Sequence, residues 1–229
     1  SLVATDEFIR TDPPTGVPPA HVHRGRVLMN LDRLPDALSS FQFVLDNAPT
    51  DPSVFEARFR IGQCQLESGR PDEAESTWRA ILDSEELAPS ANEWRMSKFA
   101  LGRLLVHQAS NEYRKSIPAE GAEPTEEQTK LRASAYRRWK ESILLLAEYL
   151  ERYEDSAERL EARYLLARSL QAAAKEAQQR LSDSLPANAR AELFREISRQ
   201  LSEAISQYGL LQRDLQLLRN EGQLDAYGQ

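Results

Sequence analysis

The chain has few of the residues that mark disulfide-stapled, strand-rich or membrane-spanning proteins. Its 229 residues include one cysteine, Cys64, which excludes an internal disulfide and falls short of the several ligands that zinc sites gather. Nine glycines supply too few turns for a fold of many short strands. No apolar run approaches the roughly 20 residues of a spanning helix. These absences favour a helical chain without a transmembrane segment.

The chain also contains fewer basic than acidic residues. Lysine and arginine total 29 against 36 acidic residues, a net charge of -7, so we expect no nucleic-acid partner. The basic stretch 132–140 lies among glutamates and is interpreted as a solvated helix face. The chain begins at Ser1 and lacks a charged stretch followed by an apolar one. We therefore expect a segment of a longer protein, and its location, cytoplasmic or envelope-associated, stays open.

Proline and apolar spacing divide the chain into helices. Residues 1–20 carry two pairs of prolines, which remove backbone donors and disfavour helix in the residue before them, so this segment is predicted to be irregular. From residue 21 onward apolar residues recur at intervals of three and four, which predicts amphipathic helices. Breaks fall near residues 33–35, 49–52 and 68–71, where proline, glycine and aspartate cluster.

The first two helix pairs are related by an offset of 37 residues. The matched residues are Gly25 and Gly62, Ala37 and Ala74, and Phe41 and Trp78. Within each pair the glycine precedes the alanine by 12 residues, and the aromatic follows the alanine by four. Small residues let antiparallel helices approach closely, and the aromatic fills the wedge toward the next pair.

These positions, together with Pro49 and Gly69, resemble the tetratricopeptide repeat family, which has a 34-residue helix-turn-helix unit. Asp32 stands where the family usually has a turn glycine, and Glu86 where its late proline would fall. The resemblance implies an all-α fold, a right-handed superhelix or α-solenoid of antiparallel helix pairs, that binds proteins. Residues 151–170 also resemble the repeat linkers of bacterial envelope proteins of this family, which favours a bacterial source.

The rest of the chain fits two further units with longer hairpins. Gly102 and Ser142 take the glycine and alanine places of a third unit but lie 40 residues apart instead of 12. Ala167 and Ala204 take these places in a fourth and lie 37 apart. Each excess equals about seven helical turns. We predict a repeat domain over residues 21–229. Its units are 18–52, 53–89, 90–156 and 157–220, the last two elongated.

No residue set predicts catalysis. His21 and His23 lack further metal ligands at the usual spacing, and Cys64 lies two residues after Gly62 on a helix, where a buried apolar role is favoured over a nucleophile. A glycine-rich phosphate loop is absent. We therefore expect a non-enzymatic chain without catalytic residues, metal or cofactor.

Equivalent positions of the four first helices form three rows on one helix face, since the rows are spaced by four and then three residues. The upper row comprises Val22, Phe59, Phe99 and Tyr164, the middle row Arg26, Gln63, Arg103 and Arg168, and the lower row Met29, Leu66, Val106 and Gln171. The guanidinium group suits carboxylate recognition, so we predict that this concave face binds a protein or peptide segment with acidic side chains. The alternative, that the upper row is core and the arginines pair with neighbouring glutamates, stays open.

The family's best-known binding mode clamps a peptide carboxyl terminus with a lysine and asparagine set. The corresponding positions here hold Val22, Arg26 and Arg60, which disfavours a receptor for chaperone tails. We predict a scaffold that joins components of a larger assembly. Two other classes stay open: a self-assembly module using the long hairpins, and a regulatory domain attached to an activity outside this chain.

Overall fold

The computed structural model describes residues 1–11, 17–181 and 185–220, which form nine helices and no strand. The all-α prediction is therefore confirmed. The chain divides into two compact units, residues 1–101 and 102–229. The helices are α1 (Leu2–Thr11), α2 (Val17–Asn30), α3 (Leu34–Asn47), α4 (Ser53–Glu67), α5 (Pro71–Leu82), α6 (Asn92–Lys115), α7 (Glu126–Arg152), α8 (Arg159–Gln179) and α9 (Ala187–Asn220).

The start of the chain differs from the sequence prediction, which made residues 1–20 irregular. Residues 2–11 form α1, and α2 already begins at Val17. Pro18 and Pro19 fall in the first turn of α2, where backbone N–H groups have no intrahelical partner and proline costs little. The other proline pair lies in residues 12–16, outside the described residues. An ion pair of 2.7 Å between Arg24 and Asp6 ties α1 to α2.

In the first unit, α2 packs on α3 and α4 packs on α5 as two helical hairpins. Both second helices carry proline in their first turn, at Pro35 and Pro71. The turns before them contain the left-handed residues Asp32, with φ of 57°, and Gly69, with φ of 74°. These two residues are 37 positions apart, so the repeat extends to the backbone conformation of the turn.

Each hairpin closes where a glycine faces a large side chain. A Cβ atom at Gly25 would overlap the ring of Phe41, and one at Gly62 would overlap the indole of Trp78. The Trp78 indole is fixed further because its Nε1 donates a 3.3 Å hydrogen bond to the Phe59 carbonyl. These approaches leave no room for a methyl group between the two helices of a pair.

The second unit repeats this contact with another side chain. A Cβ atom at Gly102 would lie 2.9 Å from Cδ2 of Leu146, four residues after Ser142. Ser142 is buried and its hydroxyl lies 3.0 Å from that of Ser169, which joins α7 to α8. Leucine thus takes the place that an aromatic holds in the first unit.

The helices of the second half are much longer than those of the first. Helices α7, α8 and α9 have 27, 21 and 34 residues, whereas α2 to α5 have 12 to 15. A capping box starts α7: Thr125 accepts from the Gln128 backbone, and the Gln128 side chain accepts from the Thr125 N–H. Buried alanines line the facing sides of α7 and α8, including Ala135 and Ala173, so these long helices pack closely over several turns.

Gly62→Ala should lower the free energy of unfolding by about 1–3 kcal/mol, because the added methyl group overlaps the rigid, buried Trp78 indole. Gly209→Ala is the matched control. No atom lies within 4 Å of a Cβ placed at this helical glycine, so alanine should raise stability by about 0.5–1 kcal/mol. Urea denaturation measures both, and equal effects of the two changes would contradict the packing account.

The turn residues predict a second pair of opposite effects. Gly69→Ala should lower the free energy of unfolding by about 1 kcal/mol. No atom lies within 4 Å of the added Cβ, so the cost comes only from placing alanine at a positive φ. Asp32→Gly should stabilise by about 0.5 kcal/mol, because glycine adopts the φ of 57° without steric cost. Thermal unfolding of both variants checks the signs, and a stabilising Gly69→Ala would show that the turn conformation is wrong.

Candidate functional site

The upper row predicted for ligand contact lies mostly in the core. In the first unit Val22, Phe59 and Phe99 are only 3–4% exposed. In the second unit Tyr164 is 43% exposed and reaches the surface of α8. Tyr164 is therefore the member of this row whose side chain a ligand can reach in the observed conformation.

The middle row contains two arginines that pair with glutamate and one that does not. Arg26 lies 3.8 Å from Glu56 in the first unit, and Arg103 lies 3.7 Å from Glu161 in the second. Gln63 accepts a 2.9 Å hydrogen bond from Arg60.

The guanidinium of Arg168 is placed differently. It lies 5.4 Å from the centroid of the Tyr164 ring, and its Nη1 donates a 3.4 Å hydrogen bond to the Tyr164 hydroxyl. Within the described part of the chain, Arg168 has no ion-pair partner. Its charge is oriented by a neutral residue and remains available.

The lower row runs from core to surface. Met29 and Leu66 are half-buried in the first unit, and Val106 is buried in the second. Gln171 is exposed, and its side-chain oxygen lies 3.5 Å from the hydroxyl of Tyr208 on α9. Burial, with Tyr164 nearby, raises the pKa of the Tyr208 hydroxyl, which therefore stays protonated and able to donate.

Three of the predicted residues meet in one cavity of the second unit, which we call the α6–α8 groove. It has a volume of about 520 Å³, within the range of ligand-binding clefts. Its lining comprises Val106, Ser110, Tyr113, Arg114, Trp139, Arg168, Gln171, Ala172 and Lys175. The α6 residues follow one helix face, as do the α8 residues, and Trp139 of α7 lies between them.

The groove has an aromatic and aliphatic floor. The rings of Tyr113 and Trp139 are tilted by 54° with centroids 5.2 Å apart. Trp139 packs into the same buried cluster as Ala109, Ala135 and Ala173. These alanines hold α6, α7 and α8 close together, so the floor is part of the core of this unit.

The rim of the groove is cationic. Arg114, Arg168 and Lys175 line it, and among the described residues no aspartate or glutamate does. Arg114 donates a 2.6 Å hydrogen bond to the amide oxygen of Asn111, a neutral partner. Sequence reasoning missed Arg114 and Lys175. The signal was present, because they continue the predicted stripe by eight residues beyond Val106 and seven beyond Arg168.

Two arginines of α7 near the groove form ion pairs that join helices of this unit. Arg138 lies 3.0 Å from Glu112 and donates a hydrogen bond of 2.8 Å to Gln108, which braces α7 against α6. Arg132 lies 3.7 Å from the buried carboxylate of Glu176, joining α7 to α8. Two members of the basic stretch 132–140 are therefore neutralised within the unit.

The residues considered for metal or nucleophilic chemistry have local roles. His21 stacks on Phe43 with ring centroids 3.9 Å apart, and burial, with Arg24 nearby, lowers its pKa. Across residues 1–11, 17–181 and 185–220, no three histidine, cysteine or acidic side chains cluster as metal ligands would. Cys64 is buried in the core of the first unit, and burial raises the pKa of its thiol to about 11.

Comparison with known proteins agrees with this architecture. Residues 23–92, which contain most of α2 and all of α3, α4 and α5, match the family model for the tetratricopeptide repeat. The chain is thus a helical repeat protein. Residues 23–92 match the tetratricopeptide repeat family, which confirms the predicted resemblance over this part of the chain.

Among solved structures, the chain is similar to the crystal structure of MamA, with 11% identity and a TM-score of 0.48 over 93% of this chain and 89% of that one. No curated protein sequence matches the chain. None of the helices in the described residues is both long enough and apolar enough to span a bilayer.

The environment of Cys64 predicts an unreactive thiol. With a pKa of about 11, roughly one thiol in a thousand is ionised at pH 8, and the core also excludes reagent. Native protein should therefore react with iodoacetamide at least about 100 times more slowly than urea-unfolded protein. Mass spectrometry over time measures both rates, and rapid labelling of the native chain would contradict the buried position.

Proposed function

We propose that the chain is a non-catalytic scaffold that binds a protein or peptide segment on the concave face lined by the first helices of its repeats. Tetratricopeptide repeat proteins bind proteins or peptides, and the match of residues 23–92 to that family supports the proposal. One observation carries the proposal: Val106, Arg168 and Gln171, chosen from repeat positions, line one cavity beside two further cations.

The rim charge favours an acidic segment. Three cations line the groove and none of its described lining residues is a carboxylate, so the groove attracts anions although the net charge of the chain is -7. A segment bound there gains charge-assisted hydrogen bonds, while the helices that carry the cations are already ordered. The ordering cost therefore falls mainly on the ligand.

The first unit offers weaker contacts of the same kind. Arg26 is 53% exposed, and its 3.8 Å pair with Glu56 is an exposed ion pair that contributes little to stability. A ligand carboxylate can replace Glu56 at small cost. Half-buried Met29 and Leu66 add apolar surface on this face, and we include all three in the proposed binding surface.

Self-assembly through the long helices is a second candidate. Leu144 of α7 is 71% exposed, and Phe194 and Ile205 of α9 are 62% and 72% exposed. Large apolar side chains at such exposure favour a helix-to-helix interface. Light scattering over a hundredfold concentration range tests it, because only self-assembly makes the mass rise with concentration.

The scaffold proposal predicts which peptides the chain selects and what abolishes selection. From a random display library, native protein should enrich peptides rich in aspartate and glutamate. Arg168→Glu should weaken their binding at least about tenfold, since one lost charge-assisted contact is worth about 1.5–3 kcal/mol and the reversed charge repels them.

Arg213→Glu is the matched control, since it makes the same charge change on the exposed surface of α9, outside the α6–α8 groove. Circular dichroism must show equal helicity for both variants. Enrichment of uncharged peptides, or equal weakening by both variants, would overturn the proposal.

A further inference from the structure

The α6–α8 groove is built in part by the segments of α6 and α8 that extend beyond the ordinary repeat length. In the first unit α2 and α4 end five residues after Gly25 and Gly62. In the second unit α6 and α8 continue thirteen and twelve residues past Gly102 and Ala167. Four of the nine lining residues therefore have no counterpart in the first unit. These lining residues are Ser110, Tyr113, Arg114 and Lys175.

The carboxylates beside the rim cations are already engaged elsewhere. Glu112, two residues before Arg114, is held by Arg138 at 3.0 Å. Glu176, next to Lys175, is 2% exposed and lies between Arg132 at 3.7 Å and Arg180 at 3.5 Å. Helix periodicity turns adjacent residues to different faces, so both acids point away from the groove.

Two of the three rim cations are oriented by neutral side chains. Arg114 is held by the Asn111 amide and Arg168 by the ring and hydroxyl of Tyr164. Arg103, lower on α6, is paired with Glu161. Neutral partners fix a guanidinium while leaving its charge for a ligand, which is the arrangement of a binding site.

We propose that the α6–α8 groove is an acidic-segment site with an apolar anchor, in which Arg114, Arg168 and Lys175 bind carboxylates and half-buried Tyr113, which packs on the buried Trp139 ring, contacts one large apolar side chain. This inference rests on the proposed function and names the class of segment it binds. Asn111 and Tyr164 are positioning residues for the two arginines.

A panel of end-blocked, fluorescein-labelled peptides tests the proposal. Each peptide carries one phenylalanine placed one to four residues from a pair of glutamates in a glycine and serine background. Matched peptides replace phenylalanine with alanine, or both glutamates with glutamine. Dissociation constants come from fluorescence anisotropy with the full chain at low and at physiological salt.

The site is probed by the double variant Arg114→Gln, Lys175→Gln. The control double variant Arg137→Gln, Arg213→Gln removes the same charge from exposed cations that do not line the groove. For the peptide with the best spacing, we expect affinity to fall at least about tenfold when either the phenylalanine or the glutamates are replaced. The same loss is expected when the protein carries the site double variant. Affinity for the control double variant should be unchanged. The Trp139 indole N–H resonance, assigned with Trp139→Phe, should shift on binding.

The outcomes separate this proposal from the scaffold function. In one outcome, Arg168→Glu weakens the binding of acidic peptides, but neither removal of the phenylalanine nor the site double variant changes it. That result would overturn the anchored groove and leave the scaffold proposal standing. Failure of the whole panel to bind would overturn the groove as well, whereas the scaffold would fall only if the random library yields no acidic peptide.

Discussion

The structure depends on one contact, in which the backbone of one helix passes directly over a large side chain of its partner. Gly25 lies over Phe41, Gly62 over Trp78 and Gly102 over Leu146, each without room for a methyl group. Because the contact fixes both the separation and the register of two helices, it sets which residues of a first helix face the core and which face outward. The rows of equivalent residues follow from it.

Elongation of the second-half helices turns this repeated framework into a particular cavity. Extra turns bring Arg114 and Lys175 to the rim, and small buried residues let α6, α7 and α8 close around an aromatic floor. Burial of Glu176 beneath two arginines costs desolvation energy that only close pairing offsets. The same pairing neutralises Glu176, the acid adjacent to Lys175, so that acid does not neutralise Lys175. Some basic residues of the unit therefore form structural ion pairs, and others line the groove.

The rows predicted from sequence differ in exposure from one residue to the next. Repeat spacing located Arg168 and Gln171 at the groove because periodicity fixes direction along a helix. It also placed Phe59 and Phe99 on the candidate face, yet both are buried, since spacing alone cannot tell how far a neighbouring helix covers a stripe. Arg114 was missed because the residues compared between repeats end at Val106 on α6, although the same helix face continues beyond it.

The helices after residue 20, their pairing in the first unit and the resemblance to the tetratricopeptide repeat family follow from sequence alone, because glycine, alanine and aromatic positions at a constant offset leave few other ways to bury the apolar faces. Even the left-handed turn is indicated by the sequence, by Asp32 in the first hairpin and by Gly69 in the second hairpin of the first unit. Which charges are neutralised depends on the tertiary structure. Ion pairing depends on distances between side chains far apart in sequence, as between Arg138 and Glu112, and no periodic pattern specifies those distances.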